Sequence, residues 1–379
     1  VKTSSIHNSY IMSIGAGKNQ LPLINAIKAY GYKVISCDNN PDAEGKYASD
    51  IFLNISSHDD KALVDRLQQL DIELVAVLTR STGIPVQTCA KVAQAYKLPG
   101  MNVELSQTLI HKERLMVKCN QLGIPAPQLF TTEQLDNIPL PVFVKPAFTA
   151  VSHAAMSTCH DHEQLKTAIA DASHVSVDGS VNVEEYLIGA DVGSIDFVFN
   201  GEVHHVMTLG ELSTGAPHFD GIGWYTPDSS LDSIIQATFS KFHQQLNVQH
   251  GFFQTAMKYD DVQKTAKIYE IHAEIGGDLV NDVFLPYVTD GYDIFENNIS
   301  LSLNQLPKPC KGVTKPAMII FKEKINHYAL SISVPESVIK VDNDQYLIIE
   351  FDSQQALSQY LTCLTQQENI SITNRDTSI

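Results

Sequence analysis

The sequence predicts an α/β protein in which a parallel, helix-covered sheet is followed by a region of different texture with antiparallel strand pairs. Three observations predict it. Strand-like and helix-like stretches alternate through residues 10–100, which is the signature of βαβ units. The texture then changes at about residue 101, and Asn200-Gly201 stands between two apolar runs as a strong hairpin signal. At 379 residues, with 44% hydrophobic and 18% charged side chains, the chain is long enough for two or three packed units.

The elements follow in order. "YIMSIGAG" is a strand ending in glycines, "QLPLINAIKAYG" has helical spacing, and "YKVISCDNNP" is a strand broken by Asn-Pro. "LVDRLQQLD" is helical, "ELVAVLT" a strand, and "PVQTCAKVAQAYK" a helix. "SQTLIHKERLMVKCNQLGIPAPQ" reads as one helix burying Leu109, Met116 and Leu122, stopped by Gly123 and two prolines. "PVFVKP" and "VNVEEYLIG" are strands separated by a loop and an acid-rich helix. The hairpin "DVGSIDFVFNGEVHHVMTLG", the helix "SIIQATFSKFHQQLN", and the pair "GFFQTAMKYD" and "AKIYEIHAEI" come next. Beyond about 311 the spacing gives short strands and one helix.

The formal charge of −17 argues against nucleic acid, which needs a basic stripe to displace counterions. No apolar run approaches the roughly 20 residues of a membrane span, and no signal-peptide pattern is read at the start of the chain. Six scattered cysteines without a C-x-x-C pair point to a reducing compartment, so the expected location is cytoplasmic. Cys159-His160-Asp161-His162 lacks a second ligand pair and reads as an acidic helix start rather than a zinc site. The Gly15-Ala16-Gly17 loop is an incomplete dinucleotide fingerprint, since Gln20 stands at its third glycine. Asp38 does end the second strand, where a ribose acid would stand, so a nicotinamide-dependent oxidoreductase is a lesser reading beside glycines at a tight turn.

The chemistry-bearing residues lie further on. Lys145 sits in an apolar strand and must find an anion or reach solvent. Glu184 and Glu185 end another strand, with Leu187 beside them as an apolar edge for an adenine ring and Asp191 as an acceptor for ribose hydroxyls. In "YEIHAEIGGD" Glu270 and His272 share one face of a strand, just ahead of Gly276-Gly277-Asp278. Lysine, hinge acids and metal ligands in this order make a nucleoside triphosphate cleft.

In these motifs the chain to about residue 300 resembles the ATP-grasp superfamily, carboxylate–amine ligases in particular. His111-Lys112 with "GIPAP", Pro141 to Pro146, Val183 to Tyr186, and Glu270 to Asp278 carry the likeness. The resemblance implies an α/β ATP-grasp fold with an N-terminal parallel α/β domain (1–100), a linker helix and central lid (101–195), and a C-terminal domain with the metal strands and an α+β tail (196–379). It implies ATP and Mg2+ (or Mn2+) as cofactors, small-molecule carboxylate and amine substrates, no nucleic acid or membrane partner, and a homodimer as an allowed assembly. Lys112 and Lys145 would contact phosphates. Glu184, Glu185 and Leu187 would hold adenine, and Asp191 the ribose. Glu270 and His272 would hold metal, with Glu274, Gly276 and Gly277 at the transferring phosphoryl group. His218, Trp224, Tyr225 and Asp278 would line the substrate pocket. An amino acid is the expected substrate class.

The pattern is broken in three places. Ala256 is aligned with a family glutamate and cannot ligate magnesium. His272 and Glu274 replace an asparagine and an arginine, although magnesium prefers oxygen ligands. The loop 147–156 has no glycine to wrap phosphates, leaving Ser152 and His153 as its polar groups. Two expectations follow: a ligase with a rewired site, or an impaired homologue (natural, or inactivated by a change at Ala256) serving as a nucleotide-binding or partner subunit.

Overall fold

The computed structural model describes residues 8–149, 154–216, 218–277, 279–330, 332, 334 and 338–368. The first unit consists of β1 (Ser9–Ile14), α1 (Leu21–Ala29), β2 (Lys33–Cys37), β3 (Ile51–Leu53), α2 (Asp60–Leu67), β4 (Glu73–Thr79) and α3 (Ile84–Ala95). Its strands are all parallel, in the order β3-β2-β1-β4. Every residue of β1 is buried, as a strand covered by helices on both faces requires. The chain winds outward from β1 to β3 and returns on the other side of β1. The crevice at this switch point lies between the loops 15–20 and 80–83.

Next come α4 (Val103–Leu109) and α5 (Lys112–Leu122), where the sequence predicts one continuous helix. The break has a local cause. His111 is extended (φ −121°, ψ 104°), and its Nδ1 accepts from the Arg114 N–H at 3.5 Å as an N-cap. The Lys112 N–H instead donates to Ala147 O at 2.8 Å, which ties the start of α5 to the next unit. Gly123, in the left-handed region (φ 64°), ends α5 as the sequence predicts.

A small antiparallel sheet, ordered β6-β5-β7, follows from β5 (Val142–Pro146), β6 (Ser157–Cys159), α6 (His162–Val175) and β7 (Val181–Glu185). Asp161 caps α6 by accepting the Gln164 N–H at 2.8 Å. It has its own core of Val142, Val144, Leu165 and Val183.

The large sheet holds β8 (Ala190–Phe199), β9 (Glu202–Ser213), β10 (Gly221–Tyr225), β11 (His250–Asp260), β12 (Thr265–His272), β13 (Ala317–Phe321), β14 (Ile339–Asp342) and β15 (Tyr346–Glu350), in the order β12-β11-β8-β9-β10-β13-β15-β14. Asn200 (φ 51°) and Gly201 (φ 79°) make the tight β8–β9 turn. The stretch 210–227 includes the end of β9 and all of β10. Helix α7 (Asp232–Gln245) covers one face of the sheet, where Ile235, Phe239 and Phe242 meet Phe253 and Met257. After β12 a π-helical turn (Val280–Phe284) leads into α8 (Leu285–Val288) and α9 (Ile294–Ser302). On the sheet's other face Ile195, Phe197 and Phe252 pack with Leu23, Ile24 and Ile27 of α1 and Ile299 of α9. One core thus joins the parallel unit to the large sheet. Two tail helices, α10 (Lys322–Tyr328) and α11 (Gln354–Glu368), stand where one was expected.

Candidate functional site

Strand alternation decides which side chains of β11 enter the cleft. Phe253, Thr255 and Met257 are buried, whereas Gln254, Ala256 and Lys258 are half-buried on the opposite face. The register sets Ala256 directly across from Glu270 and Gln254 across from His272. Glu270 and His272 therefore do share a face, with a methyl group and an amide facing them.

Lys145 finds its anion. Its Nζ lies 3.0 Å from Glu184 Oε2, with the two side chains only 4% and 3% exposed, and it also donates to Tyr269 O at 3.3 Å. Asn182 Nδ2 donates to the other Glu184 oxygen at 2.7 Å. Lys112, from the start of α5, reaches Glu270 Oε1 at 3.0 Å. Burial pushes the Glu270 carboxyl up, but Lys112, His272 and Lys145 outweigh it and hold the group well below the usual carboxylate range. Burial likewise pulls the His272 imidazole down, and Glu270 and Glu274 reverse this, raising it to about 9. Nδ1 of His272 is 3.3 Å from Glu274 Oε1, and Nε2 is 3.8 Å from Glu270 Oε1. Glu274 itself is 5% exposed and accepts the Ala273 N–H at 2.9 Å.

The other two acids expected at the nucleotide also have partners within the chain. Lys258 Nζ holds one Asp191 oxygen at 2.8 Å and the Tyr269 hydroxyl donates to the other at 3.3 Å. The Glu185 carboxylate is likewise engaged, by Lys267 at 2.6 and 2.8 Å and by the Gln128 N–H at 3.1 Å. That side chain fastens β7 to β12, next to half-buried Leu187 and exposed Ile188.

Arg80 and Lys258 were not picked out from sequence. Arg80, at the end of β4, is buried; its Nε and Nη2 donate to Gly276 O at 3.1 and 3.0 Å, and it pairs with Asp282 of the π-helical turn. It pins the Gly276-Gly277 turn to the parallel unit. A Cβ on Gly277 would meet Asn19 Nδ2 at 3.5 Å, so the loop after β1 also lies against this turn. Lys258 was legible by parity, two residues past Ala256 on the same face.

The expected substrate residues separate. Trp224 packs on the cleft-side core, but Tyr225 takes the opposite face, buried with Leu212 and Ile222 over Gly210. His218 is exposed against the Tyr328 ring, 5.5 Å away. Consecutive residues of a strand cannot both line one pocket, so Tyr225 is withdrawn from it. Ser152, His153 and Asp278 lie outside the described residues.

The donors on this face suit at most one divalent ion: Glu270 offers a carboxylate, on which Lys112 already places a cation, and Gln254 an amide oxygen that accepts from Asn281 Nδ2 at 3.4 Å. Both ring nitrogens of His272 face carboxylates, Nδ1 toward Glu274 at 3.3 Å and Nε2 toward Glu270 at 3.8 Å, so a metal on either nitrogen would displace an existing contact. Among the described residues no group of three His, Cys, Asp or Glu side chains stands ready for a metal. Magnesium would complete its octahedron with water and phosphate oxygens.

No family model matches the chain. It is 23% identical over 247 residues to the C-terminal section of the carbamoyl phosphate synthase large chain of Methanopyrus kandleri, covering 58% of this chain and 43% of that protein. The chain thus spans less than half the length of the curated relatives it matches. Among solved structures, L-amino acid ligase from Bacillus licheniformis superposes with a TM-score of 0.70 at 15% identity, over 98% of this chain and 100% of that one. N5-carboxyaminoimidazole synthetase from Staphylococcus aureus, complexed with ADP, gives 0.70 at 15% identity over 96% and 98%. Among the described residues no helix is long and apolar enough to cross a membrane. A parallel unit, a small antiparallel sheet and a large antiparallel sheet, matched almost end to end by these structures, give this chain the ATP-grasp fold.

Proposed function

We propose that the chain is an ATP-dependent ligase that joins a carboxylate to an amine through an acyl phosphate, with an amino acid among its substrates. The observation that carries this reading is convergence. Lys112 from the linker, Lys145 and Glu184 from the lid, and Glu270 from the large sheet meet within one cleft. The names of the neighbours, an L-amino acid ligase among them, support the reaction class. We also propose the three-part division at about residues 100 and 195.

In this reading Lys112 and Lys145 neutralise the phosphates, and the end of β7 holds the base between its backbone and Leu187. A substrate carboxylate oxygen attacks the γ-phosphorus as the bond to ADP breaks. The amine nitrogen then attacks the acyl carbon and phosphate leaves. Positioning and charge neutralisation are the protein's contribution to such a transfer. Magnesium or manganese, held by Glu270 and Gln254, supplies further positive charge to the phosphate oxygens when bound. Gly276 and Gly277, fixed by Arg80, let backbone approach the transferring group.

One observation favours the second reading, an impaired homologue. Ala256 faces Glu270 across the strands, so a carboxylate that would bridge a second ion is missing. The test is release of ADP and phosphate with pooled amino acids, comparing this chain with Ala256→Glu, alongside calorimetry with ATP and magnesium. Turnover by the natural chain supports the ligase. Turnover only in Ala256→Glu supports a disabled site, and nucleotide binding without turnover in either supports a binding subunit. No ATP binding at all sinks both.

A further inference from the structure

The pair Lys112–Glu270 differs from its neighbour Lys145–Glu184. Lys145 and Glu184 are buried and each has a further partner, so they are fixed. Lys112 and Glu270 are 24% and 29% exposed. The backbone of Lys112 is anchored by the His111 cap and by Ala147 O, so only its flexible stem is free to re-aim the ammonium. That ammonium stands on the carboxylate oxygen that a divalent ion would take.

The two cations exclude each other from that oxygen. A metal ion entering alone would strand the ammonium in a half-buried position without its anion. A polyphosphate entering alone would draw Lys112 away and leave the carboxylate with the longer His272 contact alone, at 3.8 Å. When both arrive, the phosphate receives Lys112 and the metal receives Glu270, so each compensates the charge the other uncovers.

We propose that Lys112 is a place-holder on the metal carboxylate, keeping divalent ions out of the empty cleft and admitting metal and polyphosphate only together. This rests on the reading of Glu270 as the metal carboxylate. It makes metal and nucleotide affinities reciprocally coupled, as linkage requires.

The test is a Mn2+ titration followed by electron paramagnetic resonance of the free ion, on the full chain with and without ADP. For the natural chain, saturating ADP should tighten Mn2+ binding by about tenfold or more. Without nucleotide, Lys112→Met should bind Mn2+ about tenfold more tightly than the natural chain. Adding Glu270→Gln should erase that gain, and Lys112→Arg should keep Mn2+ out. Circular dichroism reports folding, and Lys112→Gln takes the place of Lys112→Met if the latter does not fold. A folded Lys112→Met or Lys112→Gln with unchanged or weaker Mn2+ affinity overturns the proposal, as does Lys112→Arg behaving like Lys112→Met. Absence of ADP binding to the natural chain would instead remove the nucleotide reading. The nucleotide-free arm keeps that failure distinct.

Discussion

Lys145→Met removes the ammonium from the most enclosed ion pair of the cleft while nearly preserving side-chain length. Glu184 then keeps one neutral donor, Asn182 Nδ2 at 2.7 Å, in a position 3% exposed. Breaking a buried pair by removing one partner costs about 3–5 kcal/mol, because a charge is left uncompensated. The retained amide contact places the expected loss at the lower end, about 3 kcal/mol. Lys145→Met/Glu184→Gln removes both charges, and a neutral buried pair of similar shape costs little. The double variant should therefore recover about 2 kcal/mol or more of the single variant's loss. Denaturant unfolding followed by circular dichroism measures the totals, and hydrogen exchange at the amides of β5 and β7 locates them in the small sheet. A single variant as stable as the natural chain, or a double variant no more stable than the single, would refute the argument.

Gly223→Ala would place a Cβ 2.1 Å from Ile319 O, so the β10–β13 pairing must shift. A loss of about 1–3 kcal/mol is expected in denaturant unfolding, and a change within about 0.5 would contradict it. Arg80→Met removes both hydrogen bonds to Gly276 O and the partner of Asp282. The same measurement should show a loss of about 1.5–3 kcal/mol, and an unchanged midpoint would show that the turn holds without Arg80. For His205, burial pulls the imidazole down, but Asp196 at 2.8 Å, helped by Asp232, raises it above its ordinary 6.5. A raised folded value stabilises fully below about pH 6.5 and is lost as pH rises through the folded value. Melting temperature should therefore decline over that interval in the natural chain and be flatter in His205→Gln, with equal slopes counting against it.

Periodicity made much of this fold legible. Strand and helix alternate in period through residue 95, and Asp161 and Asn200-Gly201 act locally as cap and turn, so their neighbours in sequence suffice to read them. The break at His111 was not legible, because what competes with the continuing helix is Ala147 O, 35 residues away. Loop-forming residues around 214–220 masked β10, which is held by pairing to β13 nearly a hundred residues later. At the site, residue types and order were readable, but their partners were not. Asp191 looked free until the register brought Lys258 opposite it, and Glu185 until Lys267 reached it from the other sheet. Arg80 had no local pattern to mark it, since its role exists only where two units touch.

The matching of lysines to acids bears on how fast a polyanion can arrive. Lys112, Lys145, Lys258 and Lys267 are each offset by a carboxylate, so the cleft presents little net field at a distance. Around it lies a chain of formal charge −17. An approaching nucleotide therefore meets repulsion before it meets any lysine, the reverse of steered association. Salt should speed this encounter, as the screening length shrinks from about 30 Å at 0.01 M to about 8 Å at 0.15 M. Stopped-flow association rates that fall with added salt would mean that the lysines reach past their partners.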